Sequence, residues 1–196
     1  MIPDIHKIQD IFGRHPAKTA DLLPDLMPAA VLVPIYPDPE GLSLIFTKRT
    51  NHLDHHKGQI SFPGGRRDPE DHDAKDTALR ETYEEIGVRP EHVEILGRMN
   101  QDVTVTGFSL APVVGLIPYP YQFKLHSYEV ERLIIAPLSH LMDPANSGED
   151  TYPWQGKQYK TYNYFYKNDV IWGATARIVH KLIILLTTGR EPELEA

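Results

Sequence analysis

Apolar positions along this chain change period several times, and each change marks an element. Residues 4–12 place Ile5, Ile8 and Phe12 on one face at helical spacing, with Gly13 to end the turn. A proline-punctuated stretch to Pro28 reads as irregular. Residues 29–36 and 43–48 are two apolar runs across an Asp38-Pro39-Glu40-Gly41 turn, the pattern of a hairpin. Pro34 has no N–H for a ladder, which puts the first run at an edge or a bulge late in its course. A helix follows a Gly64-Gly65 loop. Asp73 is its N-cap, Asp76 favours the positive end of the dipole, and Gly87 stops it. On that helix Leu79, Thr82, Tyr83 and Ile86 fall on one arc, and Glu81, Glu84 and Glu85 on the other.

Beyond it, residues 93–105 are strand-like with a polar interruption at Asn100-Gln101-Asp102, and residues 110–118 read as a buried strand. Residues 131–136 read as a strand that enters a short helix over 137–142. Tyr162, Tyr164 and Tyr166 alternate with Asn163, Phe165 and Lys167 in a hairpin around Gly156, with a further turn at Asn168-Asp169. The last helix spans 174–188, with Ile178, Leu182 and Leu185 on its apolar face and Gly189 at its end. No regular strand–helix–strand rhythm is present, so the pattern alone gives a mixed α and β chain.

Composition narrows the function classes. At 196 residues, 41% hydrophobic and 24% charged, the chain suits one domain with a sizeable core. No apolar run approaches the roughly 18 residues of a membrane span, and the first residues begin no signal peptide. The absence of Cys excludes disulfides, Cys-ligated zinc and thiol catalysis, and agrees with a cytoplasmic protein. A net charge of −7 argues against a nucleic-acid backbone as partner.

The chemistry concentrates on the acidic helix. Glu81, Glu84 and Glu85 are related by i, i+3 and i+4, spacings at which like charges disfavour a helix. Arg80 can reach Glu84, which leaves Glu81 and Glu85 one turn apart with no cation nearby in sequence. A hard divalent ion on oxygen ligands would resolve this, and Mg²⁺ commonly takes one or two carboxylates plus substrate phosphate and water. A solvated acidic face is the plainer reading of such a cluster taken alone. His52, His55 and His56 invite a zinc reading, but they converge poorly and have no assured carboxylate partner. The tyrosine-rich hairpin could stack an adenine, although packing on a sheet is the commoner use of such residues.

Gly65, Arg80, Glu81, Glu84, Glu85, Gly87 and Val88 resemble the Nudix box, G-x5-E-x7-R-E-U-x-E-E-x-G-U. Asp71 stands for the first Glu, the gap from it to Arg80 is one residue longer, and Thr82 fills the bulky slot. The residues before the box, Thr47, Arg49, His56, Gly58 and Phe62-Pro63-Gly64-Gly65, are similar to the signature of coenzyme A pyrophosphatases. Thr50 there replaces Ser or Ala, and Asp54 replaces an Arg, a reversal of charge. The stretches 137–146 and 171–177 resemble the same subfamily.

The resemblance covers roughly residues 29–188 of a single domain. It implies the Nudix fold, a mixed sheet sandwiched between helices with the box as loop–helix–loop. It implies Mg²⁺ or Mn²⁺ on Glu81, Glu85 and Glu84, catalytic roles for Glu84, Glu81 and Arg80, and substrate contacts from Arg49, His56, Gly64 and Gly65. Glu129 falls where relatives place another acidic residue near the metal, although a surface Glu at a strand start is an equal reading. The implied reaction is hydrolysis of a nucleoside diphosphate linked to another moiety. Coenzyme A is the preferred substrate, cut to 3′,5′-ADP and phosphopantetheine. ADP-ribose, dinucleoside polyphosphates and oxidised nucleotides are rivals, as is a Nudix-fold binding protein without catalysis. The partner is then a small nucleotide-derived molecule, with neither nucleic acid nor membrane, and a homodimer is left open.

Overall fold

The near-continuous apolar run over residues 29–36 needs burial on both faces, and the strand built on it is the axis of the molecule. The computed structural model describes residues 4–15, 17, 26–51, 57–104, 106–154 and 157–192, the side chains of 152–159 excepted. In it, β1 (Met27–Asp38) turns into β2 (Gly41–Arg49), pairing antiparallel from Ile35↔Leu44 to Asp38↔Gly41. The expected hairpin is present. Side chains of β1 alternate between two cores. Val31, Val33 and Ile35 enter one, and Ala30, Leu32 and Tyr36 the other.

Pro34 lies neither at an outer edge nor at a bulge in the described pairings of β1. The strand is flanked on its other side by β7 (Phe108–Leu116), parallel to it from Met27↔Phe108 to Ile35↔Leu116. Pro34 is tolerated because its nitrogen falls at a fork. The β2 ladder begins at Ile35, whereas β4 (Gly64–Arg66) takes up Ala29 to Val31 on the same side. A proline at that gap removes no ladder bond.

The sheet continues through β3 (Ile60–Ser61) and β8 (Val130–Pro137) on β2, and β5 (Glu94–Arg98) and β6 (Asp102–Val103) on β7. One face is covered by α2 (Ala74–Ile86), whose Ala78 and Ile86 join Leu32, Ile45, Val113 and Ile117. The other is covered by α1 (Ile5–Arg14), the short α3 (Leu138–Leu141) and α4 (Gly173–Thr188), together with a three-stranded sheet. That sheet is β9 (Ser147–Trp154), β10 (Lys157–Tyr166) and β11 (Asp169–Ile171). The expected sandwich of a mixed sheet between helices is therefore what forms. Gly13 lies inside α1, which continues to Arg14.

On β10, Tyr164 is buried, and Tyr162 stacks on His180 of α4 with ring centroids 3.7 Å apart. These tyrosines pack on the core. The tip of the hairpin at Gly156 lies outside the described residues, as do His52, Asp54, His55 and His56. Among the described residues, no helix is long and apolar enough to cross a membrane.

Candidate active site

The acidic helix forms where its capping signals put it. The Asp73 carboxylate accepts from the N–H groups of Lys75 (2.8 Å) and Asp76 (3.0 Å). Asp76 reaches back to accept from His72 N–H at 3.2 Å, so two groups of orphan donors are satisfied reciprocally. Gly87 ends the helix in the left-handed region at φ 72°, with its N–H on the Tyr83 carbonyl. The buried stripe differs from the expected one. Thr77, Ala78, Thr82, Glu85 and Ile86 face the sheet, and Tyr83, read as apolar-facing, is exposed. Glu85 therefore sits at the buried border of the helix, only 4% exposed.

Arg80 organises the acidic residues around itself. Its guanidinium donates to Asp71 through Nε (3.1 Å) and Nη2 (3.0 Å), to Glu81 (3.0 Å), to Glu84 (3.2 Å) and to the Arg66 carbonyl (3.0 Å). Asp71 is buried and also accepts from the Asp68 N–H at 2.9 Å. Hydrogen bonding from Arg80 holds the Asp71 carboxyl down at about 2. A shorter acid on a longer loop thus clamps Arg80 in place. Reading Glu81 as lacking a cation was wrong, since the planar fork of Arg80 spans both Glu81 and Glu84.

Two glycines let the backbone approach. A Cβ on Gly65 would stand 2.5 Å from the Glu81 carboxyl carbon, and Gly64 at φ 154° lies against Ala30 and Val31. Strand β4 can therefore lie directly beneath the carboxylates of α2. Burial raises the carboxyl of Glu81, with Arg80 pulling the other way. Burial pushes Glu85 up to about 8, opposed by Arg49 and the Gly64 N–H and reinforced by the charges of Glu81 and Glu129.

The cation beside Glu85 comes from the far end of β2. Arg49 Nη1 lies 3.7 Å from Glu85 Oε1, an ion pair too long for a hydrogen bond. Among the described residues, Glu85 Oε2 and Arg49 Nε are both buried without a hydrogen-bond partner. Of the residues singled out from the sequence, Arg80, Glu81, Glu84, Glu85, Arg49, Gly64 and Gly65 are thus brought together. His56 lies outside the described residues.

Opposite α2, residues 121–130 close the site by capping its last turn. Lys124 N–H donates to the Ile86 carbonyl and His126 N–H to the Glu85 carbonyl, each at 2.9 Å. This lays His126 and Glu129 across an open cleft of about 500 Å³, lined also by Glu81, Glu84 and Glu85. That volume suits a small-molecule ligand. His126 Nδ1 stands 3.6 Å from Glu129 Oε1. Nothing in the sequence points to His126, since no spacing rule links it to a helix that ends at Ile86.

Four carboxylates thus face one cleft, with Arg80 and Arg49 as the cations beside them. An all-oxygen donor set suits a hard divalent ion, and the orphaned buried oxygen of Glu85 is the group such an ion would satisfy. Among the described residues no three acidic or histidine groups already stand close enough to share one ion. Two carboxylates with substrate oxygens and water would complete a coordination shell.

Residues 26–150 match the NUDIX domain family. The chain is 36% identical over 154 residues to a Yersinia pestis (strain Pestoides F) protein named as an uncharacterized Nudix hydrolase, NudL, covering 79% of this chain and 77% of that one. The protein of the same name from Yersinia pseudotuberculosis serotype O:1b (strain IP 31758) gives the same values, 36% over 154 residues. Among solved structures, a NUDIX hydrolase from Alicyclobacillus acidocaldarius aligns with a TM-score of 0.54 at 18% identity, over 86% of this chain and 99% of that one. A MutT/nudix family protein from Enterococcus faecalis aligns at 0.50 and 13% identity, over 96% and 81%. These two share the fold. The family match and the sequence identity together decide the class: this chain belongs to the Nudix hydrolases.

Proposed function

We propose that this enzyme hydrolyses the diphosphate bridge of a nucleoside diphosphate derivative with Mg²⁺ or Mn²⁺, and that its substrate is coenzyme A or a derivative of it. The buried, half-satisfied carboxylate of Glu85 at the floor of an acidic cleft carries the metal-dependent reading. Glu81 and Glu85 would hold the ion, with Glu84 as a further ligand or as acceptor of the proton from water. A bound divalent ion would neutralise phosphate oxygens and lower the pKa of the attacking water. The chain's own residues supply the rest. Arg80 fixes the direction of Glu81 and Glu84. Arg49 would present its charge to the anionic substrate. Water adds across the P–O–P bridge, and each product leaves with one of the two bridge phosphates.

The coenzyme A assignment is supported by the run Thr47, Arg49, Gly58 and Phe62-Pro63-Gly64-Gly65. Part of this run is held together by the β2–β3 pairing: Thr47 pairs with Ser61, and Arg49 N–H donates to the Gln59 carbonyl at 2.9 Å. Asp54 favours a second reading, ADP-ribose or a dinucleoside polyphosphate, because a carboxylate replaces an arginine of the signature. Rates for the three substrates with Mg²⁺ and with Mn²⁺, with products resolved by chromatography, separate the two. Coenzyme A should be cut fastest, with release of phosphopantetheine. A clearly faster rate on ADP-ribose or on the dinucleoside polyphosphate overturns the assignment.

A further inference from the structure

The turn that carries His126 and Glu129 is held from two sides. On one side its backbone caps α2, through bonds to the Ile86 and Glu85 carbonyls. On the other it meets Thr50, the first residue beyond β2, which is 4% exposed. Thr50 N–H donates to the Glu129 carbonyl at 2.9 Å, and its hydroxyl donates to the Tyr128 carbonyl at 2.7 Å. One residue thereby satisfies two consecutive carbonyls of the turn. The approach depends on an irregularity in the ladder. Lys48 pairs with Arg132 but Arg49 with Val130, so β8 carries one extra residue at Glu131. Such a bulge re-aims the strand end, a device common beside active sites. It brings Thr50 level with Glu129 and leaves the Glu129 side chain facing the cleft.

We propose that Thr50 is a positioning residue: its hydroxyl fixes the 126–129 turn and so sets where the Glu129 carboxylate stands relative to Glu81 and Glu85. This rests on the reading of the cleft as a divalent-cation site. The backbone N–H bond survives Thr50→Val, but the hydroxyl bond does not. Without it Thr50 holds the turn by one bond instead of two. The chain needs this device because Glu129, unlike the glutamates of α2, projects from a loop. A loop carboxylate holds a fixed position only if the backbone under it is tied.

Mn²⁺ titration by calorimetry, without substrate, tests this on five variants alongside the wild type. Thr50→Val keeps the shape and loses the donor, and should weaken Mn²⁺ binding about tenfold, the scale of groups that orient metal ligands. Thr50→Ser restores the hydroxyl and should bind within about twofold of wild type. In a Glu129→Gln background, itself weakened, Thr50→Val should change affinity no further, since the carboxylate it positions is gone. Thermal unfolding of each variant separates this from a general loss of structure. Wild-type affinity in a folded Thr50→Val protein, or a tenfold loss that persists in the Glu129→Gln background, overturns the proposal. The underlying reading fails separately. If Glu85→Gln binds Mn²⁺ as wild type does, the cleft is not the metal site and the role of Thr50 falls with it.

Discussion

Two buried carboxylates in this molecule are treated in opposite ways. Asp102, 1% exposed on β6, receives two cations from α4: Arg177 Nε donates to its Oδ2 at 2.6 Å, and Lys181 Nζ stands 3.2 Å away. Arg177 also donates to the Val103 carbonyl at 2.8 Å. Lys181 is close enough for an ion pair but lacks hydrogen-bond alignment, so its contribution is Coulombic. Glu85, 4% exposed on α2, has one cation at 3.7 Å and two like charges, Glu81 and Glu129, acting on it. One site has more positive charge than it needs, and the other less. The first locks the last helix to the sheet. The second leaves a carboxyl with too little positive charge around it at the floor of a cleft, and rewards any cation that enters.

Asp102→Asn should break this contrast most severely. It leaves two cations facing each other at a buried site and should cost about 3–5 kcal/mol in denaturant unfolding, with Mn²⁺ affinity unchanged where the protein is folded. Glu85→Gln should do the reverse. Turnover at fixed Mg²⁺ should fall by more than about tenfold, some 1.4 kcal/mol of barrier, while the metal-free protein becomes no less stable. A smaller loss of rate removes Glu85 from the metal site.

The two proteins should also separate with pH. Burial raises Glu85 from its ordinary 4.5 to about 8, so between those values the folded state keeps a proton that the unfolded state has released. The contribution of Glu85 to stability is therefore greatest below pH 4.5 and falls through the window up to about 8. In chelator, the stability of wild type relative to Glu85→Gln should decline across that window, by at most about 1.4 kcal/mol per pH unit. A difference that is flat or rising with pH contradicts the burial of an uncompensated carboxylate. The smallest effect belongs to Gly65→Ala. Its methyl group displaces the Glu81 carboxylate, which should weaken Mn²⁺ binding severalfold yet change stability by about 0.5 kcal/mol or less. Unaltered Mn²⁺ binding would mean that Glu81 has room to spare.

The same division explains what the chain shows before it folds. The bounds of α2 were legible because Asp73, Asp76 and Gly87 act within one turn of their own backbone. The β1–β2 turn and the end of α4 at Gly189 were legible for the same reason. The motif residues Arg80, Glu81, Glu84 and Glu85 were legible as a like-charge cluster with too few local cations. What the sequence hid is set by distance. Pro34 was misplaced because β4, which takes over one side of β1, arrives from beyond an intervening loop. The sequence offers Arg49 as a substrate contact and gives no sign that it stands beside Glu85, a pairing made only in the folded chain. Asp71 was flagged as a departure from the box, and its bidentate hold on Arg80 depends on a loop path that spacing does not give. Tyr83 and Glu85 exchange their expected environments because the sheet, not the helix, chooses the buried stripe.

Unfolding free energy measured with and without Mn²⁺ at neutral pH, on wild type and Glu85→Gln together, bears most directly on the under-compensated carboxyl at the cleft. Binding to the folded state alone stabilises by RT ln(1 + [L]/Kd), about 2.7 kcal/mol at a hundredfold excess over Kd. Wild type should gain on that order once Mn²⁺ is saturating, and Glu85→Gln should gain little. No gain in wild type, or an equal gain in both, would contradict a divalent-cation site at Glu85.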